Sequence, residues 1–168
     1  RYLMWAIIKF DKKKITLLKT DLCKKLGSDL KFYIPKIAIK KFNNNKLVKK
    51  EINLLGDYMF CFHEKLSNDK FLNIIQFCRG MKYILNGHKG FQFEISEFIK
   101  KCKSAESEEG YLQRNFYEMD IKKSYKFISG PFTNKIFNII EIQQNKIDIL
   151  IGNLKTSIKK QNFLFNPI

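Results

Sequence analysis

Apolar and polar positions alternate between two periods along this chain. "RYLMWAIIKF" opens on a near-continuous apolar run, Tyr2 to Ile8. A run without polar alternation predicts a strand covered on both faces. Ile15, Leu18, Leu22 and Leu26 then recur at helical spacing, and Gly27 just past them predicts a left-handed terminator. "KFYIPKIAIKKF" predicts a strand carrying Pro35, which places it at an edge or a bulge because proline donates no ladder bond. "NNNK" is a turn, and "KLVKKEINLLGDYMFCFH" returns as one or two strands. A second helix begins near Ser67 or Asn68, both good N-caps, buries Phe71, Ile74, Ile75 and Cys78, and ends at Gly80. "MKYILNG" is a short strand, and Ile95, Phe98, Ile99 and Cys102 mark a last helix. The order β-α-β-β-α-β-α fits an α+β, ferredoxin-like domain: an antiparallel sheet of three or four strands with helices on one face.

Beyond residue 121 the pattern is denser in β-branched residues. Gly130-Pro131 is a turn; Phe137, Ile139 and Glu141 alternate with Asn138, Ile140 and Ile142; Ile147, Ile149 and Ile151 share one strand face. About five short strands in this block predict a small all-β SH3-like barrel. The same stretch also satisfies a helical period, through Ile136, Ile139, Ile140, Ile147, Leu150, Ile151, Leu154 and Ile158. A helical state is therefore the alternative. Against it stand the β-branched isoleucines, Gly152, Asn138 and Asn145.

Charge divides the chain in three. Residues 1–102 carry a net +13, residues 103–121 a net −3 and residues 122–168 a net +6, within a total of +16. A surface so positive attracts polyanions, so nucleic acid or an acidic protein surface is the first partner to consider. Part of the Lys excess is compositional, accompanying a chain rich in Asn, Ile and Phe. The acidic segment 103–121 separates two basic, apolar-patterned blocks, which makes it a linker; a lid on a basic surface, using Tyr111, Phe116 and Tyr117, is the other interpretation. The domain division that follows is 1–102, a linker 103–121, and 122–168.

Cys23, Cys61, Cys78 and Cys102 form no CxxC pair and sit in or beside apolar runs, so reduced, buried thiols in a cytoplasm are expected. His63 and His88 are isolated, and no metal or other cofactor is expected. No apolar run reaches the roughly 18 residues of a membrane span, so no membrane partner is expected either. "RYLMWAII" is too short for a signal peptide and has no small-residue cleavage site. No phosphate-cradling glycine loop or nucleophile–His–acid arrangement stands out, so no catalytic residues are assigned and the chain is not read as an enzyme. A small basic nuclease using Glu51 and Asp57 is the enzymatic alternative, and their spacing argues for no metal site.

Two motifs carry a family resemblance. "SGPFTNKIFNIIEIQQNKIDILI" resembles the KOW motif, a Gly-Pro-Phe turn leading into a β-hairpin. The succession "W…YIPKI…KKEINLLGDYMFCF…CRGMKYILNG" resembles the N-terminal (NGN) domain of NusG-type transcription elongation factors, with Trp5, Tyr58, Phe60, Gly80 and Gly87 at the matching places. The order of motifs covers nearly the whole chain. "LGDY" departs from the family's "FPGY" or "FPNY", which changes the turn before Tyr58. The tail "NLKTSIKKQNFLF" and the stretch "CRGMKYI" are more similar to the specialised RfaH-type paralogues than to housekeeping NusG.

The resemblance implies a monomeric bacterial elongation and antitermination factor that docks on the clamp helices of RNA polymerase and suppresses pausing. Tyr58 and Phe60 match the strand lining the docking cavity, and Trp5 the first strand; core aromatics are the plainer alternative, and alternation puts Tyr58 and Phe60 on one face. Phe71, Leu72 and Asn73 stand where RfaH has a polar gate-loop triplet, which puts that contact in doubt and assigns Phe71 to the core. Lys12, Lys13, Lys14, Lys19 and Arg79 are the candidates for the non-template DNA strand, with Arg79 best suited to read a base and a solvated lysine face as the plainer alternative. Phe132 and Ile151 match the contacts that KOW domains make with a small-subunit ribosomal protein or with Rho; Ile151 equally suits a core strand position. RfaH-type paralogues also mask the polymerase-binding face with the helical hairpin state of the C-terminal domain. A ribosome- or RNA-associated basic module remains the non-enzymatic alternative.

Overall fold

The structure is a computed structural model that describes residues 4–113 and, further on, 138–143, 145, 146 and 149. The opening apolar run forms β1 (Met4–Phe10). Ala6, Ile7 and Ile8 are consecutive and all fully buried, so both faces of this strand are covered. A turn of 3-10 helix follows at Lys12–Lys14, begun by the Asp11 carboxylate accepting the Lys13 N–H at 3.0 Å. It leads into α1 (Ile15–Leu26), whose Leu18, Leu22 and Leu26 form the buried stripe. Gly27 has φ 130° and ψ 164°, an extended positive-φ state rather than the expected left-handed helical one, and its N–H still closes the helix on the Cys23 carbonyl. The positive φ favours glycine, and a Cβ there would also stand 2.7 Å from an Asp29 carboxylate oxygen, which would have to swing aside. The Lys65 ammonium donates to the Leu26 carbonyl at 2.8 Å and caps the helix from across the fold.

The strand expected across Pro35 is two strands in two sheets. β2 (Lys31–Tyr33) stops before Ile34-Pro35, and β3 (Lys36–Asn43) begins after it. Proline has no N–H to continue the first ladder. Its carbonyl instead accepts the Leu54 N–H at 2.9 Å. β3 pairs with β4 (Lys46–Asn53) around Asn44 and Asn45, at φ 49° and 61°. Two positive-φ residues in a two-residue loop are what a tight hairpin matching strand twist needs, and Asn tolerates them best after Gly. The run after the hairpin also divides, at the Asn53–Gly56 turn, into β4 and β5 (Tyr58–His63).

Asn68 caps α2 (Asp69–Ile75), accepting the Lys70 N–H at 2.9 Å. The helix ends five residues before Gly80, so its burial differs from the expectation: Ile75 is buried, Phe71 half-buried, Ile74 exposed, and Cys78 is buried from the turn that follows. β6 (Met81–Ile84) and α3 (Gln92–Ser104) complete the order, with Ile95, Phe98, Ile99 and Cys102 all buried.

The four-stranded sheet has the order β2-β5-β1-β6, and every neighbouring pair is antiparallel. α1 and α2 pack on one face, where Ala6, Ile8, Phe10, Met59 and Cys61 meet Leu18, Leu22, Leu26 and Ile75. α3 departs from the expectation of helices on one face only: its Phe98 lies 6.0 Å from Phe60, on the opposite side.

Two compact units can be distinguished, Arg1–Ile34 with Asp57–Ile99, and Pro35–Gly56 with Lys100–Ile168. The β3–β4 hairpin, which the charge division kept with residues 1–102, thus groups with the residues after 99. Part of the acidic stretch is folded onto it. The Leu112 N–H reaches the Lys36 carbonyl at 2.8 Å, Glu109 pairs with Lys49, and the Tyr111 hydroxyl donates to Glu51. Phe116 and Tyr117 lie outside the described residues. Asn138–Gln143, where strand alternation was expected, are helical, with Ile140 buried and Ile142 exposed. Of the two periods that segment satisfies, these six residues take the helical one. Asn145, Lys146 and Ile149 are helical too, with Ile149 exposed, where Ile149 was expected on a strand face. The other residues of the expected barrel lie outside the described residues.

Candidate functional site: an aromatic sheet face and a basic corner

Strand alternation sends one set of side chains away from α1 and α2. The register aligns Trp5 with Phe62, Ile7 with Phe60, and Lys9 with both Tyr58 and Tyr83. Tyr33 on β2 stands opposite Phe60. The result is an aromatic face across four strands. Trp5 lies 4.7 Å from Phe62 and meets Phe60 edge-on at 6.2 Å; Tyr33 stacks on Phe60 at 6.3 Å. These are the separations at which ring quadrupoles attract.

Exposure is graded along this face. Phe60 is 1% exposed beneath Phe98, whereas Tyr83 is 46% exposed and Tyr58 and Trp5 are half-buried. Tyr58 and Phe60 do share a face, but they are not equivalent on it: Phe60 is core, and Tyr58 is the one a partner can touch. The Tyr58 and Tyr83 hydroxyls are 2.6 Å apart, and the Lys9 ammonium sits 4.4 Å above the Tyr58 ring. Tyr58 is pushed up to about 12, first by burial and then by the Tyr83 hydroxyl. The Tyr58 hydroxyl therefore stays neutral near pH 7, able both to donate and to accept a hydrogen bond.

Trp5 is held by an amide clamp. Its N–H donates to Gln92 Oε1 at 2.7 Å, and Gln92 Nε2 donates to the Trp5 carbonyl at 2.8 Å and to the His88 carbonyl at 2.6 Å. A glutamine side chain thus does for Trp5 what a neighbouring strand would do.

The basic candidates lie at the other side of the same unit. Lys12, Lys13 and Lys14 are all exposed on the turn before α1. Lys19 is half-buried, with its ammonium 5.4 Å from the Phe32 ring centroid. Arg79 is differently placed. Its Nε and Nη2 donate to the two Asp21 carboxylate oxygens at 3.0 and 2.7 Å, and its backbone N–H adds a third bond at 3.1 Å. The guanidinium holds the Asp21 carboxyl well below the usual carboxylate range. That fork ties the turn after α2 to α1, and it commits two of the five guanidinium N–H donors and the plane of the group to Asp21. Phe71 and Leu72 pack against the core cluster, as Phe71 was expected to, and Asn73 is exposed. Phe132 and Ile151 lie outside the described residues.

Sequence reasoning missed Tyr83, Lys9, Gln92 and Phe77. The alternation in "MKYI" signals an outward Tyr83, but only the β1–β6 register brings it to Tyr58. Gln92 carried no signal, since its partner is 87 residues away. Phe77 lay in the expected helix and is 80% exposed.

Among the described residues no group of three His, Cys, Asp or Glu side chains is placed to hold a metal ion, and no helix is long and apolar enough to cross a membrane. Cys61, Cys78 and Cys102 are buried and Cys23 half-buried, all as free thiols. Comparison with family models and with curated proteins finds no match.

Proposed function

We propose that this chain is a NusG-type transcription elongation and antitermination factor, closer to the specialised RfaH-type paralogues, acting in the cytoplasm without catalysis. The observation that carries the proposal is the graded aromatic face: Trp5 and Tyr58, two of the three residues that the resemblance assigns to polymerase docking, lie with Tyr83 on one partly open side of an antiparallel β2-β5-β1-β6 sheet, while the third, Phe60, is buried in it. A sheet in that order, with α1 and α2 on its other face, also supports the ferredoxin-like NGN assignment. Aromatic side chains held in place give large contact area at little cost in conformational entropy, and such residues dominate binding at interfaces. Lys12, Lys13 and Lys14 would meet the phosphates of the non-template strand, with Lys19 and Arg79 in supporting places. The helical conformation of Asn138–Gln143 supports the alternative in which residues 122–168 take a helical state that masks the docking face, with release into the KOW barrel for ribosomal-protein or Rho contacts.

The test is capture of core RNA polymerase, and of its isolated clamp helices, by the full chain. Tyr58→Ala is expected to weaken capture at least tenfold, and cleavage of the chain within 103–121 to strengthen it. Failure of both the intact and the cleaved chain to bind polymerase would overturn the proposal. A second reading, a ribosome- or RNA-associated basic module, is favoured by the exposed lysines of β4, Lys46 and Lys50 among them. It predicts binding to structured RNA that Tyr58→Ala leaves unchanged.

A further inference from the structure

Phe77 is the most exposed large apolar side chain among the described residues, at 80%. It is not on a loose loop. The Cys78 N–H bonds back to the Ile75 carbonyl at 3.0 Å, the Met81 N–H to the Cys78 carbonyl at 3.0 Å, and Cys78 is itself buried. Two residues on, the Arg79–Asp21 fork fixes the turn to α1. Gly80 seals it against the lysine corner: its carbonyl accepts the Asp11 N–H at 2.8 Å, and at φ +83° a Cβ would stand 2.9 Å from Lys14 Cβ. The ring therefore projects from a rigid turn only three residues from the point where that turn touches Lys14, at most about 11 Å of chain. Ile74 and Leu17, each over a third exposed, add apolar surface from α2 and from the stretch of α1 between Lys14 and Asp21.

The charge around the ring says what it meets. Lys12, Lys13 and Lys14 are exposed in succession. Of the acids near it, Asp21 is paired with Arg79 and Asp11 accepts the Lys13 N–H. A positive corner beside a fixed, outward aromatic ring is the pairing that tracks a phosphate backbone while stacking on a base. We propose that Phe77 is a stacking platform for an unpaired base of single-stranded nucleic acid whose phosphates lie along Lys12–Lys14. This rests on the reading above only for the polymer it names, and it moves base contact from Arg79 to Phe77. Phosphate contacts alone do not discriminate strandedness in this way, because a π-face is open to a ring only when the base has left its stack.

The experiment is fluorescence anisotropy with a labelled mixed-sequence DNA strand of about 12 nucleotides, a length within the usual site sizes. The same sequence as a duplex is the control, and the full chain is titrated at several salt concentrations. Phe77→Ala is expected to lose about 5- to 150-fold in single-strand affinity, the range for one stacked base. Phe77→Trp is expected to stay within about twofold of the parent, and neither variant to change the log–log salt slope, since no charge is removed. The triple variant Lys12→Ala/Lys13→Ala/Lys14→Ala should instead flatten the slope by roughly 0.7 for each phosphate that is no longer neutralised. The proposal is overturned if Phe77→Ala binds the strand within twofold of the parent, if it loses as much on the duplex, or if it loses polymerase and keeps the strand. A parent chain that binds polymerase but no strand overturns this inference and leaves the sheet-face reading standing; the reverse pattern does the opposite. Being exposed, Phe77 can be replaced without unfolding the chain, which a thermal melt checks.

Discussion

The two faces of the four-stranded sheet use the same strands in opposite ways. Toward α1 and α2 the residues are Ala6, Ile8, Phe10, Met59 and Cys61, all fully buried against aliphatic side chains. Away from them stand Trp5, Ile7, Lys9, Tyr58, Phe60, Phe62 and Tyr83, mostly aromatic, with hydroxyls and an ammonium among them and exposure rising from Phe60 to Tyr83. The first face is closed by complementary packing. The second keeps polar tips on large rings, which suits a surface that is covered at one end and available at the other. A pleated strand assigns residues to faces; what lies over each face decides whether it is core.

The sharpest way to break this comparison is truncation on both sides. Leu22→Ala should cost about 2–5 kcal/mol, the range for a buried leucine, measured by denaturant unfolding. Tyr83→Ala should cost about 1 kcal/mol or less, since so much of it is already in water. Equal losses would mean that the two faces are energetically alike.

Gln92→Ala comes next. It leaves the Trp5 N–H and carbonyl without their clamp, at an expected cost of about 1–3 kcal/mol. Faster hydrogen exchange at the Trp5 amide is the specific readout, and unchanged protection there would show that the clamp is dispensable.

Tyr83→Phe acts on ionisation more than on stability. It should bring Tyr58 down from about 12 only part of the way toward the ordinary 10.0, because burial, the larger cause, remains. Ultraviolet titration of the phenolate band reads this. A raised tyrosine stabilises the fold below its unfolded value near 10, and that stabilisation is lost as pH rises through about 12. Tyr83→Phe should therefore narrow the alkaline window in which the fold is favoured.

The smallest effect is expected at the edge of the closed face. Asp21 sits below the usual carboxylate range because Arg79 hydrogen-bonds its charged form. Its contribution is present above the unfolded value near 3.8 and is lost as pH falls from there through the folded value. Asp21→Asn should thus be slightly less stable than the parent at neutral pH, and the difference should shrink in acid. An unfolding series from pH 7 to pH 2 tests this; a gap that persists unchanged at the acid end would mean that the ion pair is not its source.

Much of the fold was legible because its causes are local. The stripe Leu18, Leu22, Leu26, the Asn68 cap and the "NNNK" turn each lie within a few turns of chain, and each appears where the pattern put it. The candidate site was legible in part. Trp5, Tyr58 and the Lys12–Lys14 corner could be named from position and residue type, but their neighbours could not. Arg79 looked free because Asp21 is 58 residues away. Tyr83 drew no notice because its partner Tyr58 is reached only through the register of β1 with two different strands. Phe77 looked like a helix residue because nothing local says that α2 stops at Ile75.

The sequence by itself determined which residues lie together on a helix stripe or a strand face, and which turns take positive φ, because side-chain period and backbone sterics act over a few residues. Only the tertiary structure decided which sheet each strand joins, so that Pro35 separates two sheets rather than bulging one. It alone decided that Phe98 covers Phe60 while Tyr58 stays half open. In Asn138–Gln143, where helix and strand periods are both satisfied, the pattern left the conformation undetermined; the structure shows a helix there, with Ile140 buried and Ile142 exposed. Burial and pairing depend on what lies opposite in space, and residues far apart in the chain supply it.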